Sequence, residues 1–394
     1  MKLKKSVASM AVICAALPSS ALATNGMLME GYGPIAAAMG GAAMAYDNGS
    51  AAMANNPATL GLMAPGSRID VMVGFVGPDV SAPGTAGDSS AKAFYMPAFG
   101  YVKKQGKLTY GAGIYGQGGM GTEYANGDMA QVGVGRLIFP LAYAVNDRLN
   151  LGGSVDVVWA GMDLVMGAAS INFKDDSDFT GAAKGYSLAG KLGFTYKVNK
   201  TLTLGGVYQT AGNLPNLKGD GYTVKGFDMP SVVALGLAWQ ANDRLMLAAD
   251  IKDVMWGDSM NTVTIVTPGG AVPFKQDWDD QIVVALGLSY KVNDALTARV
   301  GYNYGKNPIP SQYVTHLWPA IVERHYTAGF GYVVSAQSEV NFGLVYVPEM
   351  SVTDTGPDVS LGGNGGMQIK HSQLNAQIMS IFQSRYEPEG GLSR

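Results

Sequence analysis

The stretch YAVNDRLNLGGSVDVVW, residues 143–159, decides the fold. From Leu149 onward apolar side chains fall on alternate positions: Leu149, Leu151, Val155, Val157 and Trp159 share one face, and Asn150, Ser154 and Asp156 share the other. A period of two is the signature of a strand with two unlike faces. Asn146-Asp147 marks a tight polar turn ahead of it, and Tyr143 stands three residues before that turn on the apolar face. A soluble sandwich and a membrane barrel both alternate, so the strand by itself leaves the two open.

The turns separate them. Short polar connections recur at Lys103–Gly106, Asn146-Asp147, Asn199-Lys200, Asn242-Asp243, Asn293-Asp294 and Ser335–Gln337. An aromatic stands three residues before Lys104 in the first turn and three before the start of each of the others: Tyr101, Tyr143, Tyr196, Trp239, Tyr290 and Tyr332. Rings held at one height are what a lipid–water boundary selects, because the ring body is apolar and its polar atom needs water. Between these turns lie long Gly-, Asp-, Ser- and Pro-rich connections near 78–91, 118–130, 161–182, 213–225, 255–275, 306–321 and 349–370. Six short turns alternating with seven long loops require fourteen strands, both chain ends being on the short-turn side. The expected fold is all-β, a 14-stranded antiparallel transmembrane β-barrel with short periplasmic turns and long outer loops.

Composition agrees. Only 14% of residues are charged, and there are 54 glycines and 20 tyrosines; soluble domains carry about 25% charge. No segment after the first two dozen residues is long and apolar enough for a transmembrane helix. An apolar chain without spanning helices points to a closed barrel. Lys2, Lys4 and Lys5, an apolar run from Val7 to Leu17 and Ala21-Leu22-Ala23 read as a signal peptide cleaved after Ala23. Export to the bacterial outer membrane follows. Cys14, the one cysteine, lies within that leader in a poor context for lipidation, so the mature chain has no thiol. Cleavage leaves 24 basic against 30 acidic residues, which discourages a nucleic-acid partner. His316, His325 and His371 form no metal-ligand spacing, and no Gly-x-Ser-x-Gly elbow occurs. No enzyme activity, metal or cofactor is expected.

Residues 24–64 precede the first strand and lack the period of two. They are rich in Gly, Ala and Met with few charges, too apolar for a disordered tail. A barrel of fourteen strands has room for a plug or a ligand, so this segment is expected to fold into the lumen as a hatch, leaving 65–386 as barrel and 387–394 as a polar tail. Its sequence, TNGMLMEGYGPIAAAMGGAAMAYDNGSAAMANNPATL, resembles the amino-terminal hatch of the FadL/TodX family of outer-membrane transporters for long-chain fatty acids and aromatic hydrocarbons. The matching elements are Asn25-Gly26, Met39-Gly40-Gly41 and Asn56-Pro57-Ala58-Thr59-Leu60. The resemblance continues through YGAGIYGQGGMGTEY, FPLAYAVNDRLNLGGSVDVVW, ARVGYNYGKNPIP and HYTAGFGYVVSAQSEVNFGLVY, nearly the whole mature chain.

The resemblance implies passive uptake: outer loops capture an apolar ligand, an apolar lumen holds it, and rearrangement of the hatch with an inward kink of the third strand releases it sideways into the membrane. Met27, Met29, Met39, Met44 and Met53 crowd the hatch, either to adapt to ligands or to pack the plug against the wall. Tyr115, Gly116, Gly118, Gly119, Met120 and Gly121 match the kink segment, and glycine at this density weakens a ladder. Arg299, Arg136 and Lys191 face the lumen; they are candidates for a carboxylate headgroup, or else members of a bracing network with Asp156, Asp250 and Lys252. Expected partners are a hydrophobic small molecule, outer-membrane lipid with lipopolysaccharide, and the barrel-assembly machinery, with the barrel a monomer. A general porin for polar solutes is the rival reading, and the hatch separates the two. The last strand, about His371 to Tyr386, ends in an aromatic before the tail, leaving the assembly signal open.

Overall fold

The computed structural model describes residues 25–175, 181–356 and 366–385. The leader at 1–23, Tyr386 and the tail at 387–394 lie outside the described residues. Fourteen long strands run in chain order: β1 Gly66–Ala82, β2 Phe94–Gln105, β3 Leu108–Glu123, β4 Met129–Ala144, β5 Leu149–Met166, β6 Ala183–Lys197 and β7 Leu202–Gln209. They continue as β8 Val232–Gln240, β9 Leu245–Val254, β10 Gln281–Lys291, β11 Leu296–Gly305, β12 Arg324–Ser335, β13 Ser338–Thr353 and β14 Gln368–Arg385. Each pairs antiparallel with its neighbours, and β14 returns to β1 from Gly66↔Arg385 to Ser81↔Lys370, which closes the barrel. In a membrane, closure is what satisfies every strand edge.

Four of the periplasmic turns share one device. In VNDRL, VNKTL, ANDRL and VNDAL the side-chain oxygen of Asn146, Asn199, Asn242 or Asn293 accepts the backbone N–H groups two and three residues on, at 2.8 to 3.0 Å. That local bond is why asparagine opens these turns. Tyr143, Tyr196, Trp239, Tyr290 and Tyr332 stand exposed on the outer face above them, and Tyr101 is half-buried. Tyr186 on β6 marks the opposite boundary. Its ten-residue separation from Tyr196 corresponds to roughly 25 Å across the membrane for a tilted strand.

The outer face keeps its apolar alternation throughout, whereas the inner face changes character along each strand. On β5 the inward residues Asn150, Ser154 and Asp156 near the periplasm give way to Val158, Ala160, Met162 and Leu164 near the outside. Asp163, on the outer face, accepts N–H groups from Asp175 and Ala182 of a loop folded over it. The strands β1, β3 and β5 therefore run on to Ala82, Glu123 and Met166, correcting the expectation that loops begin near 78, 118 and 161. Polarity on the faces had changed there, but strand pairing had not ended.

The outer half of the lumen is packed by loop residues, with Trp256, Trp278, Phe274, Trp318, Ile321 and Phe227 against the apolar inner wall. The inner half holds residues 25–64, which contain the short helices Pro34–Ala38 and Ala52–Asn55 and the 3-10 turn Pro57–Leu62. Ten wall glycines let this hatch approach the sheet. They form five cross-strand pairs: Gly100↔Gly113, Gly152↔Gly193, Gly205↔Gly236, Gly287↔Gly301 and Gly329↔Gly343. A methyl group added at any of them would collide with hatch atoms, among them those of Ser50, Met53, Ala58, Asn56, Met44, Met39, Gly40, Ala38 and Pro34. Ten of the chain's 54 glycines are thus a seat for the plug. Gly301→Leu should unseat the hatch without preventing barrel closure. Planar-bilayer recordings should change from small irregular events to large steady channels, while heat-modifiable gel mobility persists.

Candidate lateral opening and its cavity

The β2–β3 ladder runs from Gln105↔Leu108 only to Phe99↔Ile114. Above that pair, residues 94–98 of β2 and 115–121 of β3 face each other without pairing. The strands are tied again only near the outside, where Ser90 N–H donates to Glu123 O at 2.7 Å and Ser89 Oγ accepts Glu123 N–H at 3.0 Å. The wall has a window.

Its cause lies in β3. Gln117 is one residue too many for β4, a bulge between Gly116↔Gly135 and Gly118↔Val134. A bulge bends its strand and releases local pairing. The backbone groups turned away from β2 are taken up by the hatch: Met29 N–H donates to Gln117 O at 3.2 Å, Gly119 N–H donates to Met27 O at 3.2 Å, and Leu28 bridges Gly118. Tyr32 Oη donates to Gln117 O at 3.1 Å. Below, the hydroxyls of Tyr115 and Ser50 lie 2.8 Å apart. Hatch residues 27–29 thus act as a substitute for β2.

A cavity of about 530 Å³ passes through this window. Its inner lining includes Met29, Val76, Val132, Val134, His371 and Gln373, its lips are Phe94–Pro97 and Gly116 to Gly121, and Tyr95, Ile114 and Trp159 reach it from the lipid face. Among the described residues, no Lys, Arg, Asp or Glu lines it. A small apolar molecule gains roughly 25 cal/mol for each Å² it buries in such a space. It can leave toward lipid without crossing a polar barrier.

The kink residues expected from sequence meet at this site. Gly116, Gly118, Gly119 and Gly121 line it, Tyr115 anchors it, and the backbone of Met120 pairs with Val132. Gly118 has no room for a side chain, because a Cβ there would overlap Met27 O. The hatch residues divide by task. Asn25 and Leu28 close a tight turn whose Gly26, at φ +65°, lies beneath the Trp256 ring. Met27 sits between this turn and an almost closed apolar space of about 10 Å³ under Met162, Phe227 and Trp318. Met39 and Gly40 lie on β10 and β11, where Asn303 Nδ2 donates to Gly40 O at 2.9 Å and Thr327 Oγ1 accepts Gly40 N–H at 3.0 Å. Lys252 Nζ donates to Gly41 O at 2.9 Å and Glu30 O at 2.8 Å. Asn56 caps Ala58 N–H after Pro57 and donates to Met44 O and Phe194 O. Leu60 is buried beside Met53 and Ile138.

The three cations are elsewhere. Arg136 and Lys191 both bond Asp156 Oδ2, at 3.0 and 2.6 Å, in a fully buried cluster completed by Ser154. Arg299 donates to Asn341 Oδ1 at 2.9 Å near the periplasmic end of β11. None of them lines the cavity. The β2 lip was missed from sequence, although Pro97 within a strand was a readable sign of an unpaired edge. Trp159, Val76 and Gln373 gave no local signal: Val76 reaches the window through its ladder with β2, Trp159 through β4, and Gln373 through closure of β14 onto β1.

These features define a plugged, side-opening outer-membrane barrel, and comparison with known proteins agrees. The model for the family Outer membrane protein transport protein (OMPP1/FadL/TodX) matches residues 10–386. The chain belongs to this family and resides in the outer membrane. The toluene transporter TodX of Pseudomonas putida superimposes with a TM-score of 0.78 at 26% identity, covering 91% of this chain and 100% of that one. The toluene transporter TbuX of Ralstonia pickettii gives 0.73 at 26% identity, covering 90% and 98%. A FadL homologue of Pseudomonas aeruginosa shares the fold, with a TM-score of 0.71 at 16% identity and coverage of 90% and 98%. A curated protein of Chlorobium limicola, from the 5' region of a phosphoenolpyruvate carboxykinase gene, is 48% identical over 77 residues. The chain spans 37% of that protein's length, and the match takes in 19% of this chain.

Two outcomes follow. Gly118→Leu displaces Met27 and so should lower apolar uptake at least tenfold with normal assembly; unchanged uptake would contradict the role of the hatch at the kink. The second concerns Glu30, which is wholly buried beside Lys252. Burial drives its carboxyl up to about 7, with only its own amide and the Lys252 charge easing ionisation. The raised value favours the seated hatch fully below pH 4.5, and this advantage is lost as pH rises through about 7. The shift amounts to roughly 3 kcal/mol. Deuterium uptake by the backbone of residues 30–44, corrected for the intrinsic pH dependence of exchange, should therefore rise between pH 5 and pH 8, and Glu30→Gln should abolish that rise.

Proposed function

We propose that this chain admits small neutral, largely apolar molecules, monoaromatic compounds foremost, through the outer membrane by passive lateral release. The carrying observation is the window between β2 and β3, with an apolar cavity running through it and no charged side chain in the lining. The ligand is captured among the outer aromatic loops, passes the Met27 turn into the cavity, and leaves past Tyr95, Ile114 and Trp159 into lipid. A fatty-acid carboxylate finds no cation in this cavity; the headgroup role of Arg136, Lys191 or Arg299 would need a second binding position deeper in the lumen. TodX and TbuX, described as toluene transporters, support the aromatic choice. A general porin needs an aqueous lumen, which the seated hatch leaves no space for. Outer-membrane lipid receives the product, lipopolysaccharide surrounds the outer loops, and the barrel-assembly machinery inserts the chain.

Uptake of labelled toluene and labelled oleate should be compared in cells with and without this protein. Toluene entry at low concentration should rise at least fivefold and oleate entry should not. An equal rise for both would refute the preference for neutral ligands.

A further inference from the structure

The cavity is apolar apart from Gln131 of β4 and one corner formed by β14. His371 and Gln373, neighbours on the inner face of β14, line it opposite the glycine-rich lip of β3. Gln373 Nε2 donates to Asn375 Oδ1 at 2.8 Å, so its amide is oriented along the strand. His371 is oriented from the other side, with Nδ1 2.6 Å from Pro319 O in the loop between β11 and β12. A carbonyl oxygen can only accept, so Nδ1 carries the hydrogen and donates. The neutral ring then presents a lone pair at Nε2, since the bond made by one ring nitrogen decides the state of the other. Nε2 is shielded from water and has no hydrogen-bond partner among the described residues. A buried acceptor in that state is costly, and a site for bare hydrocarbon has no use for it.

We propose that His371 is a specificity residue whose Nε2 accepts a hydrogen bond from the ligand. The preferred substrates are then aromatics with a single neutral donor, phenols and aryl alcohols, over hydrocarbons or ethers of equal shape. This rests on the cavity being the ligand site. It also sharpens the case against carboxylates, because an ionised acid brings acceptors to an acceptor. A polar group in an apolar pocket discriminates well, since a ligand lacking the donor leaves the acceptor unpaired.

The test uses the full chain in detergent, with affinities of p-cresol, 4-methylanisole and toluene measured by equilibrium dialysis. The wild type should bind p-cresol roughly tenfold more tightly than 4-methylanisole, the size expected of one neutral hydrogen bond. His371→Leu should erase that preference whatever its effect on toluene, and retained heat-modifiable gel mobility shows that the variant is folded. The proposal is overturned by a wild type that does not prefer p-cresol, a result needing no variant, or by a preference that persists in His371→Leu. If the wild type binds none of the three, the cavity itself is not the ligand site and both readings fall.

Discussion

Backbone hydrogen bonds in a membrane have no water to fall back on, and this constraint shapes the whole molecule. Thirteen of the fourteen strand junctions meet it by pairing. The junction of β2 with β3 meets it only in part, and there the chain supplies the missing partners from its own amino-terminal segment. Met27 and Met29 give β3 the bonds that β2 would have given, at about 3.2 Å each. A hole in a barrel wall is normally unaffordable; here it is stable because the plug completes one of its edges.

The remaining architecture follows from holding that plug. Side chains from distant strands grip its backbone, with Asp250 accepting from Ala43 and Met44, Lys252 donating to Glu30 and Gly41, and Arg68 pairing twice with Asp47. Five glycine pairs bring the sheet close enough for these bonds to form. The buried Arg136–Asp156–Lys191 cluster ties β4, β5 and β6 together on the lumen side. The β2–β3 window and the seat of the plug are thus joined at residues 27–29.

Much of this was legible in the sequence. The outward column Leu149, Leu151, Val155, Val157, Trp159 is where the alternation places it, and Tyr143, Tyr196, Trp239 and Tyr290 stand above their turns as the spacing required. Those are properties of one strand with its nearest turn, so a local pattern carries them. Strand ends were misjudged at 78, 118 and 161 because a reversal of face polarity looks like an end of pairing. The glycines of β3 pointed to the site, whereas its other lip depends on where the β2–β3 ladder stops, and the place of His371 beside it on closure between residues hundreds of positions apart. The lumen-facing cations could be placed on the correct face and offered Asp156, Asp250 and Lys252 as network partners, but which pairs form could not be read. Facing inward is a matter of parity, while pairing with Asp156 depends on three strands at once.

The central claim is that apolar molecules leave through the β2–β3 window, and one covalent bond can test it. A Cβ at Gly116 would lie 3.5 Å from the Cβ of Met96 across the gap, within the usual range for a disulfide. Apart from Cys14 in the expected leader, no cysteine competes. In a Met96→Cys, Gly116→Cys variant, oxidation should cut toluene uptake at least tenfold, and reduction should restore it. Uptake that is the same in the oxidised and reduced forms would place the exit elsewhere.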